Sequence, residues 1–243
     1  MNQPTAIQQT SDLLALKEIK SITESQYEEL LWMMVEDALS CSAHDIDHVR
    51  RVYKLALKIA SFYPEVNYEV LIPAVLLHDI GRREEDLDLT GNTDHAVIGA
   101  VKAREILERM GIRMEIIEEI QKAIITHRYR SGQRPASLEA AILYDADKLD
   151  AIGAVGVART FMMAGQEGAQ LYRKVDLETY TSENLTENGR ILNLENHAPN
   201  VEYIVKLKRI PERMVTEVGR AMALKRAGIM KAFFDALDSE MSE

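Results

Sequence analysis

At 243 residues the chain is long enough to bury a sizeable core in one largish domain. It is 47% hydrophobic and 28% charged with a formal net charge of −10, and none of its apolar runs reaches the ~20 residues that a membrane span needs. Long-range attraction to polymeric nucleic acid or to an acidic membrane is thereby disfavoured, and the lone Cys41 and a start without a signal core read as cytoplasmic.

Residues 1–22 are polar and without period, and read as a tail or a loosely docked helix; 23–243 reads as a single domain. From Glu24 to Leu39, Tyr27, Leu30, Leu31, Met34, Val35 and Leu39 fall near helical spacing. Asp45 is placed to cap the next helix, on which His48, Val52, Leu55 and Ile59 recur at three- and four-residue steps until Pro64. Tyr68 to Ile80 is a helix with Pro73 inside it, and Gly81 is expected to end it in the left-handed conformation. A polar loop then runs from Arg82 to Thr93.

Thr93 is expected to cap a helix from Asp94 to Met110, stopped by Gly111. The next, Ile112 to Arg128, sets Ile116, Ile120, Ala123, Ile124 and His127 on one face. After a loop from Tyr129 to Ser137, one helix is expected from Leu138 to Ala164. Gly153 and Gly156 inside it would each cost roughly 1 kcal/mol relative to Ala, which points to close packing or ligand approach. Asp176 to Asn200 is polar and turn-prone, with the length of a lid, an interface loop or a mobile surface insertion. Helices over Val201–Arg209 and Pro211–Leu237 complete the chain, the second opened by Pro211. No alternating run reads convincingly as a strand, so the fold class is all-α.

The chemistry concentrates in Leu76-Leu77-His78-Asp79-Ile80-Gly81, where an imidazole and a carboxylate close an apolar run. Upstream stands His48, in His44-Asp45-Ile46-Asp47-His48-Val49-Arg50-Arg51-Val52; downstream stands Asp147, in Asp145-Ala146-Asp147-Lys148-Leu149-Asp150-Ala151. This ordered set, H-D-x-x-H-x-x-R-V, then L-L-H-D-I-G, then Asp147, resembles the HD-domain metal-dependent phosphohydrolase superfamily. The stretch from Asp145 to Arg159 and the tail Val205-Lys206-Leu207-Lys208-Arg209-Ile210-Pro211 resemble a subgroup of small stand-alone HD hydrolases.

The resemblance implies a helical HD bundle with additional C-terminal helices and a divalent ion on His48, His78, Asp79 and Asp147. Two imidazoles and two carboxylates suit Mn, Fe, Co, Ni or Zn better than a thiophilic metal, with Mg also admitted. An ion so held keeps positions for water and a phosphate oxygen, and lowers the pKa of that water toward ~7. Asp79, Lys148 and Asp150 are the candidate catalytic residues, Asp150 as an acceptor that orients a ligand or a water. Arg51, Arg82, Arg128 and Lys148 are candidates to neutralise substrate phosphate. Some members carry a catalytic Glu shortly after the HD pair; here Gly81, Arg82 and Arg83 precede Glu84, and the general acid stays unassigned.

His95 and His127 extend the pattern to that of members holding two metals, with Asp79 bridging. The leading expectation is hydrolysis of a nucleotide or small phosphate ester, with nucleoside triphosphate to monophosphate and pyrophosphate tested first. A dinuclear phosphodiesterase of cyclic-dinucleotide type, a diiron oxygenase and a non-catalytic nucleotide sensor are the alternatives. The first is weakened by Gln133-Arg134-Pro135 standing where that family has Gly-Tyr-Pro. The apolar helices around Phe161–Met163 and Met222–Phe234 read equally as a homodimer interface or as core.

Overall fold

The computed structural model describes residues 24–39, 46–88, 93–128, 133–186 and 191–243. Among them every extended element is a helix, and one isolated bridge pairs Leu185 with Ile191. None of these helices is long and apolar enough to cross a membrane. The expected tail over 1–22 and the Asp45 cap lie outside the described residues. The chain clusters into two compact units, residues 1–144 and 145–243.

The first unit holds α1 (Glu24–Leu39), α2 (Ile46–Ala60), α3 (Tyr68–Leu77), α4 (Arg82–Leu87), α5 (His95–Arg109), α6 (Met114–Thr126) and the start of α7 (Leu138–Asp150). The expected helices at α1, α2, α3, α5 and α6 are all present. α3 is apolar on nearly every side, which suits a helix covered all round, and it packs on α1, α2 and α6. Val70, Leu71, Ala74 and Val75 meet a core built from Leu31, Val35, Val52, Ile59, Ile120 and Ile124, all fully buried. α3 begins at Tyr68, as expected, and Asn67 caps it, its side chain accepting from the Glu69 N–H. Asp94, not Thr93, likewise caps α5 by accepting from Ala96 N–H at 2.9 Å.

Two expectations fail between α3 and α5. Arg82 to Leu87 forms a short helix where a loop was expected, because Glu84 and Glu85 suit the positive end of a helix and Glu85 pairs with Arg82 three residues back. Gly81 is not left-handed, with φ −90°. Its need for glycine is steric: a Cβ there would stand 2.4 Å from the His95 carbonyl and 2.6 Å from the Gly99 nitrogen. The turn carrying His78 and Asp79 therefore lies directly on the backbone of α5, and Lys102 of α5 donates to the Ile80 carbonyl at 3.2 Å.

The second unit continues α7 and adds α8 (Gly153–Gln166), α9 (Leu177–Asn184), α10 (Pro199–Val205), α11 (Ile210–Arg213) and α12 (Glu217–Glu240), with 3₁₀ turns at Leu194–Asn196 and Leu207–Arg209. The single helix expected over Leu138–Ala164 is broken between Asp150 and Gly153. Ile152 is extended and Gly153 takes φ +80°, so this glycine serves a turn and carries no helix-interior cost. Arg226 of α12 fills the space beside Gly153 and donates to the Leu149 carbonyl.

The stretch 176–200, expected as a polar, turn-prone loop, contains α9 and a 3₁₀ turn. Asp176 caps α9 through Thr179 N–H at 2.9 Å, Tyr180 packs with Ala198 and Val201, and the Asn184 side chain both accepts from and donates to the Asn193 backbone. The helix expected over Val201–Arg209 ends at Val205. Pro211 does sit in a first turn, but of a helix that stops at Arg213; Thr216 caps the long α12 instead.

Candidate metal centre

Four imidazoles and one carboxylate meet inside the first unit. His48 is the third residue of α2, His78 and Asp79 come from the turn after α3, His95 from the first residue of α5 and His127 from the C-terminal cap of α6. All five are at least 95% buried. The helix-end positions explain how residues distant in sequence converge: the Gly81–α5 contact brings Asp79 to His95, and packing of α5 on α6 brings His95 to His127.

The two oxygens of Asp79 divide the rings between them. Oδ2 faces His48 Nε2 at 3.7 Å and His78 Nε2 at 3.8 Å. Oδ1 faces His95 Nε2 at 3.2 Å and His127 Nε2 at 3.8 Å, and also takes Arg82 Nη2 at 3.2 Å. His48, His78 and Asp79 thus form one potential ligand group, and Asp79, His95 and His127 a second that shares the carboxylate. Burial alone would push the Asp79 carboxyl up, but Arg82 and the imidazoles of His78, His95 and His48 hold it well below the usual carboxylate range.

Proton placement tests whether these residues suit a cation. His78 Nδ1 lies 2.7 Å from the Val75 carbonyl and His127 Nδ1 lies 2.5 Å from the Ile124 carbonyl. A carbonyl can only accept, so both rings carry their proton on Nδ1 and present the Nε2 lone pair inward. The Nε2 atoms of His95 and His127 are 3.1 Å apart beside an ionised carboxylate. Lone pairs aimed at one another and at an anion repel unless a positive charge lies among them, and a ligating imidazole with its other nitrogen anchored to a carbonyl or carboxylate is the usual form of such a site. The donor set fits a divalent ion of the imidazole and carboxylate class.

Around these ligands stands a charged bracket. Glu85 of α4 receives His95 Nδ1 on Oε2 and Arg128 Nη1 on Oε1, and Arg82 Nη1 reaches Oε2 at 2.9 Å. Burial would raise the Glu85 carboxyl, yet His95 and Arg128 bring it down to about 2. Arg82 and Arg128, the candidates to neutralise phosphate charge, have carboxylate partners in Asp79, Glu85 and Asp94. Sequence reasoning passed over Glu85. The available signals were its three-residue spacing from Arg82 and the Asp94-His95 cap-and-first-turn pair.

Arg51 lies on α2, half-buried, three residues after His48. The remaining candidates belong to the second unit: Asp147 accepts from Lys148 Nζ at 2.6 Å, and the buried Asp150 accepts from Arg159 Nη1 at 2.5 Å. His197 pairs with Tyr180 and Glu202 of its own unit.

Residues 45–152 match the sequence family described as HD domain. The Bacillus subtilis protein YpgQ is 28% identical over 204 residues, which cover 82% of this chain and 85% of that one. The crystal structure of YpgQ in complex with ADP matches with a TM-score of 0.66 at 26% identity, over 90% of this chain and 97% of the other. A protein described as a predicted HD superfamily hydrolase, from an uncultured Thermotogales bacterium, matches at 30% identity and a TM-score of 0.58, over 88% and 92% of the two chains. The 3'-5' exoribonuclease YhaM of Listeria innocua is 30% identical over 116 residues, covering 43% of this chain and 37% of that enzyme.

Proposed function

This chain belongs to the HD superfamily of metal-dependent hydrolases, and from that premise we propose that it hydrolyses nucleoside triphosphates to monophosphate and pyrophosphate. The observation that carries the reading is the Asp79 carboxylate with a pair of inward Nε2 atoms at each oxygen. The nucleotide class draws support from the likeness to YpgQ, a protein crystallised with ADP.

His48, His78 and Asp79 would hold one ion, and Asp79, His95 and His127 another. A bound divalent ion supplies activation of water at neutral pH and relief of charge on the phosphoryl oxygens. The protein's own part is positional. Nδ1 anchors on His78 and His127 keep their rings from turning. Arg82 holds Asp79 ionised through Oδ1. On the sequence motif, Asp147 joins the ligands, Arg51 and Lys148 take phosphate charge, and Asp150 is kept as an orienting group.

Chemically, water attacks the α-phosphorus, the bond from that phosphorus to the bridging oxygen breaks, and pyrophosphate leaves with the bonding pair. Phosphorus NMR of a nucleoside triphosphate panel with Mn²⁺ tests this. Pyrophosphate and monophosphate from the native protein, absent with Asp79→Ala, are the expected result; orthophosphate alone would move the scission point and overturn the proposed reaction. A second reading, phosphodiester cleavage at a dinuclear site, is favoured by the group of Asp79, His95 and His127. Two ions per chain with turnover of a cyclic dinucleotide, and none of triphosphates, would select it.

A further inference from the structure

His95 Nδ1 has two neighbours that make opposite demands on it. Glu85 Oε2 lies in close contact, and Arg128 Nη1 stands 2.9 Å away. A carboxylate can only accept, so it requires a proton on Nδ1 and leaves the lone pair on Nε2. A guanidinium can only donate, so it requires the lone pair on Nδ1 and sends the proton to Nε2. There Asp79 Oδ1, 3.2 Å away, would receive it. Only the first tautomer offers Nε2 as a ligand.

The structure assigns to Glu85 the role of holding His95 in that ligand tautomer, which makes it a positioning residue for the group of Asp79, His95 and His127. The inference rests on reading that group as a metal site. Three features suit Glu85 to the task. Arg128 is drawn onto its other oxygen, Oε1, at 2.5 Å, which turns a competitor for Nδ1 into an anchor. Arg82 at 2.9 Å fixes Oε2, the oxygen that meets the ring. Arg82 also reaches Asp79, so one guanidinium sets the spacing of the carboxylates on either side of His95. His78 and His127 obtain the same protonation from backbone carbonyls, whereas His95, the first residue of α5, meets the Glu85 carboxylate.

The test reads the tautomer directly in metal-free, full-length protein labelled with ¹⁵N-histidine. Long-range proton–nitrogen correlation distinguishes a protonated ring nitrogen from one with a lone pair, and the His95 signal is assigned as the one lost in His95→Gln. The native protein is expected to carry the proton on Nδ1, and Glu85→Ala to move it to Nε2. Glu85→Gln, whose amide oxygen can still accept, is expected to keep it on Nδ1, as is Arg128→Met. A Glu85→Ala ring still protonated on Nδ1, or a native ring protonated on Nε2, would overturn the assignment.

Calorimetric titration with Mn²⁺ gives the second readout. Glu85→Ala is expected to weaken uptake about 10- to 100-fold, with Glu85→Gln close to native; equal affinity in all three would also overturn it. If the tautomer moves as described while the native protein turns over no nucleotide, the proposed substrate fails and the role of Glu85 stands.

Discussion

Each unit of this protein sets histidine against carboxylate in its interior, and the two settings differ in where the protons go. In the second unit Tyr180 Oη lies 2.6 Å from His197 Nδ1, His197 Nε2 faces Glu202 Oε2 at 3.3 Å, and Lys206 donates to Glu202 Oε1 at 2.7 Å; the carboxylate only accepts, so the ring proton sits on Nε2 and Nδ1 is left to accept from the tyrosine hydroxyl. That is a line, with an acceptor for each proton and a donor for each lone pair. In the first unit the anchored rings of His78 and His127 spend their protons outward, and the Nε2 atoms of all four rings gather on Asp79. There the lone pairs of the anchored rings converge on a group that is itself an acceptor. A buried His–carboxylate contact alone does not distinguish a polar network from a ligand set; the direction of the protons does.

The largest expected effect breaks the convergence. Asp79→Asn keeps the shape and removes the charge that both ligand groups share. Mn²⁺ affinity is expected to fall by more than the ~100-fold that marks the loss of an outer partner. His197→Gln, in contrast, is expected to leave uptake unchanged. Metal content after dialysis, measured side by side in the two variants, checks the contrast; uptake by Asp79→Asn at the native level would sink the reading of the first cluster.

What the sequence revealed follows the same division. His48, His78 and Asp79 stood out because ligands must be of certain residue types, and α2, α5 and α6 because a helix with one buried face repeats every three to four residues. α4 did not: Arg82-Arg83-Glu84-Glu85-Asp86-Leu87 has no apolar period, and its pairing with the metal bracket exists only once α4, α5 and α6 are assembled. The break at Gly153 was hidden because glycine is compatible with both a helix interior and a left-handed turn, and only Arg226, 73 positions on in the chain by number, shows which is used. The stretch 176–200 misled because its small core joins Tyr180 to Ala198 and Val201 across a polar sequence. Glu85 was missed for the reason α4 was.

The linear network makes a pH-dependent prediction. Burial would raise the Glu202 carboxyl, but Lys206 and His197 lower it from 4.5 to about 2. A depressed carboxylate stabilises the fold above its unfolded pKa and loses that contribution as pH falls through its folded pKa. Glu202→Gln is therefore expected to be less stable than native at pH 7, by at most about 3 kcal/mol. The gap should begin to narrow below about pH 4.5 and close near pH 2. Urea unfolding from pH 7 down to 3 measures it; a gap constant over that range would show that Glu202 is not the charged end of the line.

The smallest effect expected comes from Tyr180→Phe. The ring keeps its place beside Ala198 and Val201 and its stack on His197, with centroids 6.1 Å apart, and loses only the hydroxyl. His197 Nδ1 then lacks its donor, at a net cost of about 1 kcal/mol, or a melting point lower by roughly 2–4 °C for a chain of this length. In a line, each link carries only its own hydrogen bond, so His197 and Glu202 should stay paired and the pH dependence seen through Glu202 should persist in the variant. A loss several times larger, or a flattened pH profile, would mean that Tyr180 holds the whole network as Asp79 holds the four rings, and the contrast between line and convergence would not survive it.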